Sequence, residues 1–153
     1  MSHSPFTAEM TVAFRHCDPA GIVFYPRYFE MINDFVEAFF DRGLGASFHA
    51  LHVGRKIGTP LASVQCDFKA PSRWNDVLHQ SMTVTSLGGA AIGLKVRFAS
   101  PEGQTRLEAQ LTIVTIDLET MRSIRLPEDL RQALTPFVEP GADAMASAAA
   151  GGF

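Results

Sequence analysis

The residues best suited to chemistry crowd into one stretch, Phe14-Arg15-His16-Cys17-Asp18-Pro19-Ala20-Gly21-Ile22-Val23-Phe24-Tyr25-Pro26. Asp18-Pro19-Ala20-Gly21 is a turn signal: Pro fixes φ, Gly tolerates positive φ, and the short carboxylate bonds nearby backbone N–H groups. An ordinary exposed turn would not lead into Ile22-Val23-Phe24-Tyr25, since large apolar and aromatic residues are costly to leave in water. The turn is therefore expected to be partly buried, with Asp18 beside an apolar pocket as the chemical centre. Cys17 with His16 beside it has the makings of an activated thiol. Neighbours on an extended chain point to opposite sides, however, and a small, half-buried thiol is the expected state. His16, two residues from Asp18, is a candidate to tune that carboxylate or carry a proton. His49 and His52 stand at i, i+3, but no further Cys or His nearby completes a metal site, so packing or surface histidines are expected and no metal is assigned.

These side chains must be held by elements legible in the flanking pattern. Phe6 to Phe14 alternates, with Phe6, Ala8, Met10, Val12 and Phe14 on one face, and predicts a half-buried strand. Pro26 suits the first turn of a helix, which continues to about Gly43. Phe29, Ile32, Val36, Phe39 and Phe40 recur at helical spacing, and Met31 and Phe35 widen the apolar stripe, so this helix must be enclosed. Ala46 to Arg55 predicts a short helix or irregular crossing. Strands are then expected over Leu61 to Lys69, Val77 to Leu87, about Ile92 to Ala99 and Arg106 to Leu118, joined by Pro71–Asp76, Gly88-Gly89 and Ser100-Pro101-Glu102-Gly103. Pro127 opens a short helix over Glu128 to Leu134.

One strand, one long apolar helix and four further strands make an α+β domain with a largely antiparallel, five-stranded sheet. The economical arrangement curves that sheet around the helix, and the remaining apolar edges favour a second subunit. The chain divides into a single domain, 1–139, and an Ala/Gly-rich tail, 140–153, expected to be disordered.

Composition narrows the function classes. The chain has 153 residues, 46% hydrophobic and 19% charged, with a formal net charge of -3, and lacks the basic surplus of a general nucleic-acid binder. No segment approaches the ~18 apolar residues that span a bilayer, and the first residues show no basic region followed by an apolar core. A cytoplasmic protein without membrane or nucleic-acid partners is expected. Two cysteines, Cys17 and Cys66, exclude a disulfide framework.

Asp18-Pro19-Ala20-Gly21-Ile22-Val23-Phe24-Tyr25-Pro26-Arg27-Tyr28 resembles the signature of hotdog-fold acyl-CoA thioesterases of the 4-hydroxybenzoyl-CoA thioesterase family. Gly58-Thr59-Pro60 resembles the start of that family's second strand, and the resemblance covers roughly residues 6 to 135. It implies a hotdog fold, an active site between two subunits, and a homodimer that commonly pairs into a homotetramer. It implies hydrolysis of a coenzyme A thioester, with coenzyme A part of the substrate and no other cofactor. Asp18 then takes the place of the essential carboxylate, as nucleophile or as base for water. The orphan N–H of Tyr25 at the helix start supplies a donor to the oxyanion, which Pro26 cannot. Phe24, Tyr28, Asn33, Thr59 and His16 become candidates around the acyl group, and an aromatic or otherwise bulky acyl group suits the aromatics.

The chain departs from the family pattern at three places. Asn33 stands where the aromatic-acyl branch has an acidic residue, and Asp34 is rotated about 100° away. The short-chain aliphatic branch has His where Tyr25 stands. The hairpin Leu87-Gly88-Gly89-Ala90-Ala91 lacks the basic cluster that grips the nucleotide phosphates, leaving Lys69 and Arg73 as the foremost candidates, with Arg55, Lys56 and Arg97 behind them. Three other readings of the same fold are a thioesterase for short-chain aliphatic acyl-CoA, a non-catalytic acyl-CoA or acyl-carrier binding module, and a hydratase. The last would need a His and Asp pair in the pocket.

Overall fold

The computed structural model describes residues 4–143. Strand β1 (Phe6–Thr11) leads into a 3-10 turn (Phe14–His16) and the Asp18 loop. Helix α1 (Tyr25–Ala38) follows and continues as a π-helical turn (Phe39–Gly43), closed by the Leu44 N–H donating to the Phe39 carbonyl at 2.9 Å. A second short helical turn (Ala50–Gly54) precedes β2 (Ile57–Gly58), β3 (Leu61–Phe68), β4 (Val77–Leu87), β5 (Ala91–Ala99), β6 (Thr105–Val114), β7 (Ile116–Asp117) and β8 (Arg122–Ser123). Helix α2 (Glu128–Leu134) and β9 (Val138–Asp143) complete the described chain.

The main sheet runs β1-β4-β5-β6-β3, antiparallel throughout, with β9 added parallel to β4 beyond Phe6, the first residue of β1; β2, β7 and β8 form a small second sheet. The sheet covers α1, as the apolar stripe requires: Met31, Ile32, Phe35, Val36, Phe39 and Phe40 are buried in one cluster with Leu78, Met82, Leu94, Val96, Phe98 and Leu111. This is the hotdog arrangement expected from the sequence, with one strand more in the main sheet than the five anticipated.

Local departures from the expected pattern have identifiable causes. The first strand stops at Thr11 rather than Phe14: the Ala13 N–H is taken up by His16 Nδ1 at 2.9 Å, the chain turns, and Phe14 is left 73% exposed. The helix opens at Tyr25, with Pro26 in its first turn as expected. Tyr28 is buried within the stripe, whereas Phe29 lies at its exposed margin. The long last strand breaks at Thr115, whose hydroxyl donates to the Ile124 carbonyl at 2.8 Å, and the chain beyond passes into the small sheet. β3 is half-buried only at Cys66 and exposed elsewhere, because it is the outermost strand of the sheet. Of the tail expected from Pro140, residues 140–143 belong to β9 and residues 144–153 lie outside the described residues.

Candidate active site

The Asp18 loop is a closed hairpin. The Asp18 N–H donates to the Ile22 carbonyl at 3.0 Å, the Gly21 N–H donates to the Asp18 carbonyl at 2.9 Å, and Cys17 and Val23 form an antiparallel bridge. Gly21 adopts φ +82°, the left-handed conformation that makes glycine the residue of choice there. Asp18 Oδ1 accepts the Ala20 N–H at 2.9 Å, which orients the half-buried carboxylate; Oδ2 has no partner among the described residues.

The same hairpin fixes where α1 starts. The Phe24 N–H donates to the His16 carbonyl at 3.0 Å, so residue 24 lies across from the strand that carries Asp18. Phe24 occupies the N-cap position without a side-chain cap, Tyr25 opens the helix, and Pro26 follows. The Tyr25 N–H makes no hydrogen bond among the described residues. An uncapped helix start of this kind offers a backbone donor and the positive end of the helix dipole to an approaching oxygen.

Beneath the loop lies a polar support that has no signature in sequence spacing. The Val23 N–H donates to the Ser72 carbonyl at 2.8 Å, and Ile22 bridges Arg73. The Tyr28 hydroxyl donates to Ser72 Oγ at 2.9 Å. Arg106, reaching from β6, donates through Nη1 to the Pro71 carbonyl at 3.1 Å, to Ser72 Oγ at 3.1 Å and to Asp76 Oδ2 at 2.8 Å. Burial acts to raise the Asp76 carboxyl, but hydrogen bonds from Arg106 and from the Arg73 N–H outweigh it and hold the group below its ordinary value. Burial pushes the Tyr28 phenol up, against the Ser72 hydrogen bond. Tyr28 therefore sits under the loop, its hydroxyl engaged. Arg106, Asp76 and Ser72 lie some thirty or forty residues from the groups they support, which is why alternation and turn signals did not single them out.

A cavity of about 390 Å³ opens between α1, β3 and the small sheet, lined mostly by apolar side chains such as Ile32, Val36, Leu111 and Ile113. Phe29, Asn33 and Thr59 line it, together with Phe48 and His52. His52 Nδ1 is 2.7 Å from the Phe48 carbonyl; that oxygen can only accept, so Nδ1 carries a proton. Asp18, Phe24, Tyr25 and Tyr28 do not line the cavity, but aromatic rings connect the two places. Phe68 of β3 lies 6.2 Å from Tyr25, 5.6 Å from Tyr28 and 6.2 Å from Phe29, and Phe24 packs edge-on against Tyr25 at 5.6 Å. The rings form a continuous aromatic seam from the helix start to the margin of the cavity.

The remaining candidates fall elsewhere. His16 is buried and its Nδ1 accepts a backbone N–H, so the neutral ring carries its proton on Nε2; burial, then Arg15, lowers its pKa. The hollow His16 lines lies between β1 and α1, with Met31, Asp34 and Gln80. Cys17 Sγ makes a long 3.9 Å contact to the Ala13 carbonyl, and Cys66 is pushed up by burial and by Asp67. Arg73 is exposed beside the loop, and Lys69 is exposed at the end of β3.

Comparison with known proteins identifies the family and the fold. The model of the Thioesterase-like superfamily matches residues 12–134. The long-chain acyl-CoA thioesterase FadM of Escherichia coli is 26% identical over 132 residues, 86% of this chain and 98% of its own. The 4-hydroxybenzoyl-CoA thioesterase of a Pseudomonas species is 25% identical over 130 residues, 80% of this chain and 92% of its own. In fold, the crystal structure of a 1,4-dihydroxy-2-naphthoyl-CoA thioesterase from Synechocystis superposes with a TM-score of 0.80 at 23% identity, over 90% of this chain and all of the other. With the Asp18 turn, the enclosed helix and the matched span in agreement, the chain belongs to the thioesterase-like superfamily and is a hotdog-fold thioester hydrolase.

Proposed function

We propose that the protein hydrolyses the thioester of an aromatic or otherwise bulky acyl-CoA, with Asp18 as the reacting carboxylate and the Tyr25 N–H as the donor to the oxyanion. The observation that carries this reading is the pairing of a carboxylate oriented through Oδ1, with Oδ2 unengaged, and an uncapped helix start across the same hairpin. Relatives named for long-chain acyl-CoA and for 4-hydroxybenzoyl-CoA lend support to a coenzyme A thioester, and the apolar cavity supports an acyl group of some bulk.

In the covalent form of the reaction, Oδ2 attacks the thioester carbonyl carbon and the carbonyl electrons move onto oxygen, facing the Tyr25 N–H. Collapse breaks the C–S bond, coenzyme A leaves as thiolate and takes a proton from solvent, and water opens the acyl-aspartyl anhydride. In the general-base form, Oδ2 takes a proton from the water that attacks, and no anhydride forms. Both use the same oxygen and the same donor. The reading requires no cofactor beyond the substrate's own coenzyme A. It includes a homodimer, assembled through the exposed apolar residues Leu61, Val64 and Phe68 of β3 and pairing into a homotetramer, in the cytoplasm. Among the described residues no helix is long and apolar enough to cross a membrane.

A panel of aryl-, phenylacetyl-, short-chain and long-chain acyl-CoA esters, followed with a thiol reagent, tests it. Turnover fastest on the aryl or other bulky esters and abolished by Asp18→Ala is expected. Saturable binding without turnover would instead make the protein a carrier of acyl-CoA, and a preference for short aliphatic esters would overturn the acyl assignment.

A further inference from the structure

The basic hairpin that would hold the nucleotide end of coenzyme A is replaced here by Gly88-Gly89, and within one subunit that hairpin is far from the Asp18 loop. β4 has eleven residues, its first near the loop and its last at the hairpin, a separation of roughly 35 Å at about 3.3 Å per residue. At the near end, two large aromatic side chains stand in water. Phe14 is 73% and Trp74 56% exposed, and their rings meet edge-to-face at 5.4 Å.

The pair is built rather than incidental. The segment carrying Trp74 is fastened to the one carrying Phe14 by the Asn75 N–H donating to the Val12 carbonyl at 2.9 Å and the Val12 N–H donating to the Asp76 carbonyl at 2.8 Å. It is fastened to the Asp18 loop through the bridge between Arg73 and Ile22. One guanidinium group adjoins the rings along the chain, Arg73 before Trp74, exposed and not paired with an acid among the described residues, whereas Arg15 lines hollows beside α1 with Glu30 and Asp34. Exposed aromatic faces next to an unpaired cation, tethered to a candidate catalytic loop, match a planar base carrying phosphates.

We propose that Phe14 and Trp74 form the landing platform for the adenine of coenzyme A, with Arg73 facing its phosphates. The proposal rests on the acyl-CoA reading above and assigns to this loop the nucleotide grip for which the Gly88-Gly89 hairpin has no basic residue of its own, the neighbouring Arg131 being bonded to the Gly88 carbonyl at 2.6 Å. Cation and ring together give the platform its preference for a phosphorylated base over a bare apolar group.

Trp74 is the single tryptophan of the chain, so its emission reports the platform directly. The full-length protein is titrated with coenzyme A, with adenosine 3′,5′-bisphosphate and with pantetheine. Saturable quenching by the first two and none by pantetheine is expected, with half-saturation raised about 10-fold in Phe14→Ala and in Arg73→Ala. In parallel, Trp74→Ala is expected to lower the ratio of kcat/KM for an acyl-CoA to kcat/KM for the same acyl N-acetylcysteamine thioester about 10-fold. Quenching by nucleotides with no hydrolysis of any thioester would keep the platform and overturn the hydrolase reading. Hydrolysis with an unchanged ratio and no quenching would overturn the platform alone. Emission already shielded from acrylamide in the unliganded protein would show a second copy of the chain covering the pair, and would also overturn it.

Discussion

His16 and Asp18 are two residues apart, yet their side chains do different work. Nδ1 of His16 holds the Ala13 N–H, and the buried ring is kept neutral. A histidine whose folded pKa lies below its ordinary value of about 6.5 contributes stability that is fully present above that value and lost as pH falls through the lowered one. Thermal unfolding followed from pH 8 to pH 5 is expected to show stability declining below about pH 6.5, with the decline flattened in His16→Ala, which is also less stable at pH 8; an identical slope in the variant would refute the assignment. The Asp18 turn was legible because Pro, Gly and an apolar sequel occupy consecutive positions. The orientation of His16 was not, because it depends on which backbone N–H the ring meets when the strand ends at Thr11.

At the scale of elements, the site depends on a loop from the middle of the chain being locked against both the Asp18 hairpin and α1. Arg106 joins Pro71, Ser72 and Asp76, and Ser72 receives Tyr28 and, through its carbonyl, Val23. Arg106→Leu removes hydrogen bonds to a charged group at a side chain that is only 12% exposed, and is expected to cost about 2 kcal/mol in denaturant unfolding while lowering kcat more than it changes KM. Asp76→Asn is expected to flatten the acid limb of stability. The lowered Asp76 carboxyl contributes stability present above about pH 4 and lost as pH falls through its folded value. An unchanged acid limb would exclude that role. Strands β4 and β5 and helix α2 were readable from alternation and from Pro127, since local pattern and burial coincide there. The support network was not, because it is a set of long-range polar contacts among residues that each look like solvated charges or turn formers. The break at Thr115 likewise depends on a hydroxyl finding the Ile124 carbonyl in the small sheet.

For the whole molecule, the sheet ends in a strand that exposes Leu61, Val64 and Phe68, beside the exposed rings of Tyr25 and Phe29. An uncovered outer strand with apolar side chains is a liability in water, and the proposed dimer would cover it. Val64→Asp is expected to shift sedimentation from dimer or tetramer toward monomer and to reduce activity with it; monomeric wild-type protein with full activity would contradict that assembly. Phe68 couples this surface to the site, since it touches both Tyr25 at the helix start and Phe29 at the cavity. The most direct test of the account remains at Asp18. Asp18→Asn keeps the Oδ1 acceptor for the Ala20 N–H, and so the loop, while removing the anionic oxygen. With the best aryl or other bulky acyl-CoA found in the panel, kcat/KM is expected to fall about 100-fold or more with folding unchanged; a variant that retains activity within about threefold of wild type would show that Asp18 is not the reacting carboxylate.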